Sequence, residues 1–146
     1  MFRYVIRLTI SFGNGYRMFI SSMTLYMPVS DMKILTRQDL FEALVKNKGL
    51  LIIKLGADWC GPCRNIEGMV KENFEKMPEN ATCVMVNIDE SMDLYAFLKT
   101  KKIVTSIPSL LAYEKGNTHY APDEIHIGSE KVGLRMFFER CHKICE

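Results

Sequence analysis

Two thiols stand two residues apart in Trp59-Cys60-Gly61-Pro62-Cys63. That spacing lets them close into a disulfide and reopen, so the segment is a candidate redox centre rather than a structural staple. Such a pair reacts through its thiolate form. The attacking sulfur therefore needs surroundings that favour the anion, and the second needs to lie within reach to resolve the product. Half of a zinc site is the competing chemistry. It requires a second ligand pair, and Cys141 and Cys145 have a looser spacing with no knuckle around them.

The elements that must position the pair are visible on either side of it. Leu50-Leu51-Ile52-Ile53 with Leu55 is an apolar run of strand length that ends just before the motif. Arg64 to Met77 carries Ile66, Met69, Val70, Phe74 and Met77 at helical spacing. Cys60 then falls at or just before the first turn of a helix, where unpaired N–H groups and the positive dipole end favour a thiolate. Pro62 suits that first turn because its missing N–H costs nothing there. Cys63 lies one turn inward, less exposed and placed to resolve.

With these residues in hand, the segment 31–146 resembles the thioredoxin family along nearly its whole length. Asp31 to Thr36 looks like the family's first strand and the cap of its first helix. Leu50 to Cys63 looks like the central strand and active-site turn. Val84 to Asp89 looks like the third strand, Ser106 to Leu111 the cis-proline strand, and Gly128 a glycine of the last strand. The resemblance implies an α/β fold, the thioredoxin fold, with a central mixed β-sheet flanked by helices. It also implies a cis Ile107–Pro108 bond facing the disulfide, with Trp59, Gly61, Pro62, Ile107 and Pro108 contacting substrate. An ordinary trans proline at a strand edge is the alternative.

Three positions depart from the family. Where it usually has a buried Asp beneath the second cysteine, this chain has Lys54. Where it has a Lys on the neighbouring strand, this chain has Met85. Where it often has an aromatic residue, this chain has Gly56. A cation beside a thiol lowers its pKa. Lys54 is therefore a candidate for tuning the pair towards a more oxidising disulfide, unless it snorkels to the surface with only its stem buried.

Residues 1–30 contain Arg3, Arg7 and Arg17 and no acid, which leaves 16 basic and 17 acidic residues and a net charge of −1 over 31–146. That balance gives no case for nucleic-acid binding. The first thirty residues have no apolar run long enough to span a bilayer, so no membrane association is expected. They form an N-terminal extension open to three readings. Translation can start downstream at Met27 or Met32, the preferred reading. The segment can target an organelle, as its arginines and serines suggest. Or alternation over Ile6 to Phe12 followed by Gly13-Asn14-Gly15 can add a hairpin.

Elsewhere, Thr36 caps a helix that uses Leu40, Phe41, Leu44 and Val45 and ends over Asn47 to Gly49. Ser91 caps another through Leu94, Phe97 and Leu98. Ile107 to Tyr113 and Ile125 to Ile127 flank a turn at Lys115-Gly116-Asn117. Glu130 to Lys143 closes the chain as a helix. Cys83 is read as a small core residue. Cys141 and Cys145 are read either as a second relay or, more simply, as part of a fraying terminus. His119, His126 and His142 have no motif around them, and core filling accounts for most of the ten methionines. Five cysteines without a paired framework favour a reducing compartment. The expected location is cytoplasmic, with organelle targeting the alternative.

The expected function is thiol–disulfide oxidoreduction of protein substrates through a Cys60/Cys63 dithiol. No cofactor or metal is expected. Electrons come from a thioredoxin reductase or another dithiol, and the protein acts as a monomer. A non-catalytic protein-binding module on the same fold is the alternative.

Overall fold

A computed structural model describes residues 32–146 in full, together with the backbone of residues 3–6, 9–11, 17–19 and 23–26. The order of elements is β1 (Arg3–Ile6), β2 (Thr9–Ser11), β3 (Arg17–Phe19), β4 (Met23–Tyr26), α1 (Arg37–Lys46), β5 (Leu50–Gly56) and α2 (Gly61–Lys76). There follow β6 (Ala81–Asn87), α3 (Met92–Thr100), β7 (Ser109–Glu114), β8 (Glu124–Ile127) and α4 (Lys131–Cys145). Strand β1 pairs with β4 and β2 with β3, both antiparallel. The expected turn at Gly13-Asn14-Gly15 lies outside the described residues, as does Asp31.

The organising element is β5, every residue of which is buried. It pairs in parallel with β6 and antiparallel with β7, which in turn pairs with β8, giving a mixed sheet in the order β6-β5-β7-β8. Because side chains alternate across a strand, β5 feeds two cores. Leu51, Ile53 and Leu55 pack with Leu40 and Leu44 of α1 and Leu94 and Leu98 of α3. Leu50 and Ile52 pack with Ile66, Val70 and Phe74 of α2 and Leu134, Phe137 and Phe138 of α4. The result is a sheet covered on both faces, which is why its central strand is one continuous apolar run. Helix α2 makes the crossover between the parallel strands β5 and β6.

Packing, rather than ion pairing, joins the helices of the first face. Arg37 of α1 pairs with Asp93 of α3 at 2.8 Å, but both side chains are well exposed, 57% and 39%. Solvent screens such a pair, whereas truncating a buried leucine costs about 2–5 kcal/mol.

Several expectations need correction. Residues 32–35 form no strand. Their backbone finds other partners: the Leu35 amide, like that of Thr36, donates to Asp39 Oδ2, and the Ile34 carbonyl accepts from the sequence-distant Ser91 Oγ. Thr36 does cap α1, in a reciprocal capping box with Asp39. Ser91 sits at the N-cap of α3 but makes no side-chain cap, since its hydroxyl is committed to Ile34. Val45 is 74% exposed, and Ala43 takes the core position instead. Met32, Met92 and Met136 are exposed, so core filling does not account for them. The last helix runs to Cys145, with Cys141 fully buried, which removes the fraying-terminus reading.

Candidate active site

Strand β5 ends at Gly56, and the chain turns through Ala57 to Trp59 into α2. Two contacts hold this turn. The Ile88 amide donates to the Gly56 carbonyl at 2.9 Å, and the Cys60 amide donates to the Ala57 carbonyl at 3.2 Å. Arg64, one turn into α2, donates from its guanidinium to the Asp58 carbonyl at 2.8 Å. Trp59 Nε1 donates to both carboxylate oxygens of Asp89, at 3.2 and 3.0 Å. The indole is thereby fixed while the residue stays 65% exposed.

Cys60 is the N-cap residue of α2, and Gly61 and Pro62 fill the first two helical positions. Its Sγ accepts the Cys63 N–H at 3.2 Å. A sulfur in that position receives an otherwise unpaired helix N–H, the interaction that favours a thiolate there. Cys60 and Cys63 are joined as a disulfide across a Cα–Cα distance of 5.2 Å. Both are buried, at 5% and 2% exposure, and only Cys60 caps the helix.

The Ile107–Pro108 peptide bond is cis. Ser109 pairs with Leu55, so Pro108 lies at the end of the sheet from which the Cys60 turn departs. Pro108 is buried, and Ile107 packs against the cluster that holds Cys60 and Cys63. Among the described residues, none hydrogen-bonds the Ile107 amide or carbonyl.

Lys54 lies behind the pair. The residue as a whole is only 7% exposed. Its register partner on β6 is Met85. It faces an open cavity of about 410 Å³ lined by Gly56, Asp58, Cys63, Arg64, Glu67 and Asn87, among others. Burial pushes the Lys54 amine below its ordinary value, opposed by Glu67, reinforced by Lys71 and opposed again by Asp58.

The other thiols are chemically separate. Cys83, Cys141 and Cys145 are free, and burial pushes Cys83 and Cys141 up to about 12. The structure therefore brings together Cys60, Cys63, Trp59, Gly61, Pro62 and Lys54, with Ile107 and Pro108 at the same end of the sheet. Two contacts were missed by sequence reasoning, Asp89 on Trp59 and Arg64 on Asp58. Neither carries a local signal: Asp89 lies thirty residues away in sequence, and Arg64 reads as an ordinary surface residue.

A CxxC disulfide at a helix N-terminus, on an α/β/α sandwich with a cis proline at the same edge, defines a dithiol oxidoreductase of the thioredoxin fold. Residues 31–139 match the family described as Thioredoxin, and the chain belongs to that family. It is 29% identical over 108 residues to thioredoxin 1 of Plasmodium falciparum, covering 74% of this chain and 95% of that one. It is 33% identical to a thioredoxin of Echinococcus granulosus, over 69% of this chain and 86% of that one. The solved Fasciola hepatica thioredoxin superposes with a TM-score of 0.59 at 29% identity, covering 75% of this chain and 98% of that one. The protein is accordingly a thiol–disulfide oxidoreductase that works through Cys60 and Cys63.

Proposed function

We propose that the reduced protein opens disulfides in other proteins, with Cys60 as the attacking sulfur and Cys63 as the resolving one. The observation that carries the assignment of roles is that Cys60 caps α2 and its sulfur accepts the Cys63 N–H. The Cys60 thiolate attacks one sulfur of the substrate disulfide, and the other leaves as a thiolate and takes a proton from solvent. Cys63 then attacks Cys60 Sγ and releases the second substrate sulfur, leaving the Cys60–Cys63 disulfide. A thioredoxin reductase or another dithiol returns the two electrons, and the protein acts as a monomer.

Trp59 and the Ile107–Pro108 segment flank the attacking sulfur and receive the substrate backbone. An exposed indole held at its nitrogen and an unengaged Ile107 peptide group support that role. The reading places the protein in the cytoplasm, in electron transport and redox homeostasis. Three thiols left free support a reducing compartment.

Changing Cys63 to Ser removes the resolving sulfur. Mixed disulfides through Cys60 should then accumulate with protein substrates and disappear on treatment with dithiothreitol. Partners retained only noncovalently would contradict the assignment.

A further inference from the structure

Lys54 is only 7% exposed, lines the cavity behind Cys63, and its amine makes no hydrogen bond or ion pair with any described residue. Its position relative to the sulfur follows from Gly56. A Cβ added there would stand 2.7 Å from Lys54 Nζ and 3.4 Å from Cys63 Sγ, so amine and sulfur border the same gap above one glycine. The charged groups around it are few. Asp58 and Arg64 line the cavity, but the Arg64 guanidinium is engaged with the Asp58 carbonyl. Glu67 also lines it and is paired with Lys71 at 2.9 Å. From the neighbouring strand β6, Met85, Val86 and Asn87 contribute no charge. The register partner on β7 is Leu110. With the disulfide closed, the carboxylates of Glu67 and Asp58 act on the Lys54 amine through space, and neither is hydrogen-bonded to it.

We propose that Lys54 is a positioning residue whose ammonium stabilises the thiolate of Cys63 when the pair opens, and so helps to set both the resolving step and the redox poise. The inference rests on the dithiol mechanism above. In that mechanism the Cys63 thiol gives its proton to solvent in the cavity, and the thiolate attacks Cys60 Sγ. A Cys63–Cys60 bond forms as the Cys60–substrate bond breaks, and the departing substrate thiolate is protonated by solvent. Lys54 exchanges no electrons; it supplies the charge that makes the Cys63 anion accessible. Coupling of two titrating sites is reciprocal. Reduction should therefore raise the proton affinity of Lys54, which burial holds low in the oxidised form, just as Lys54 lowers that of Cys63. A cation that stabilises the reduced form also raises the reduction potential.

The test uses the full chain carrying Cys60→Ser, so that Cys63 is the remaining thiol of the pair. The rate of Cys63 alkylation by iodoacetamide is followed against pH by peptide mass spectrometry, with Lys54 intact, as Lys54→Met and as Lys54→Arg. The expected result is a higher midpoint for Lys54→Met and a midpoint near the original for Lys54→Arg. Each unit of rise makes alkylation below the midpoint about tenfold slower. Equal midpoints in all three overturn the proposal; should Lys54→Met fail to fold, Lys54→Gln makes the same comparison. A purely structural Lys54 would not move this midpoint. Reduction of a disulfide-linked peptide by the unsubstituted protein with dithiothreitol separately tests the dithiol mechanism, so the two failures are distinguishable.

Discussion

Lys54 and Gly56 form an interlocked pair beneath Cys63. A Cβ at 56 would stand 2.7 Å from the lysine amine, the free end of a flexible side chain, so the two positions compete for one space and the lysine must shift to admit a side chain. Gly56→Ala should displace the amine, and the cost should shrink when Lys54 is already Ala. A double-mutant cycle by urea unfolding should return a coupling of about 0.5–3 kcal/mol; zero coupling would mean that the two positions act independently. At this scale the sequence was most informative, because the chemistry of Cys60, Pro62 and Cys63 depends on spacing within one helical turn. The support from Asp89 and Arg64 was not legible, because it depends on where the loop after β6 and the first turn of α2 meet in space.

Between elements, the contact of β8 with α4 carries a titratable group that the redox reaction does not use. His126 on β8 packs against Gly133 of α4, where a Cβ would stand 2.9 Å from His126 Cε1, and its Nε2 is buried without a hydrogen-bond partner among the described residues. Burial pushes His126 below its ordinary value. The Gly128 backbone and Glu130 oppose that shift, and Arg140 reinforces it. The unfolded chain therefore holds more protons than the folded one below the unfolded value of about 6.5. Stability should fall as pH drops through that value and level off below the folded one. His126→Gln should lose less stability than the parent between pH 7.5 and pH 5 in urea titrations, whereas identical losses would remove His126 from the account. Elements were legible where one physical signal dominated, as with the apolar run of β5 and the Thr36 cap of α1. Residues 32–35 misled because the strand was expected from the family resemblance alone, whereas here the Leu35 amide goes to Asp39 and the Ile34 carbonyl to Ser91. Val45 and the exposed methionines misled because an apolar residue on a helix does not declare which face it occupies.

Across the whole molecule, the two cores divide the five thiols by task. The sheet holds Cys60 and Cys63 at one end, with Cys63 lining a cavity. Cys83 and Cys141 lie in the opposite core, where burial suppresses their ionisation. This layering was legible because a strand buried on both faces requires helices on both sides. The burial of Cys141 was not, because it depends on α4 docking against β5. The central claim is that Cys60 and Cys63 form one reversible two-electron couple. Equilibration of the full chain against dithiothreitol buffers tests it most directly, read by fluorescence of Trp59, the only tryptophan, and by alkylated-thiol counts at each potential. The account predicts a single transition with a tenfold change in ratio per about 30 mV, and two thiols gained at Cys60 and Cys63 alone. A fluorescence signal and thiol count unchanged across the range would contradict it.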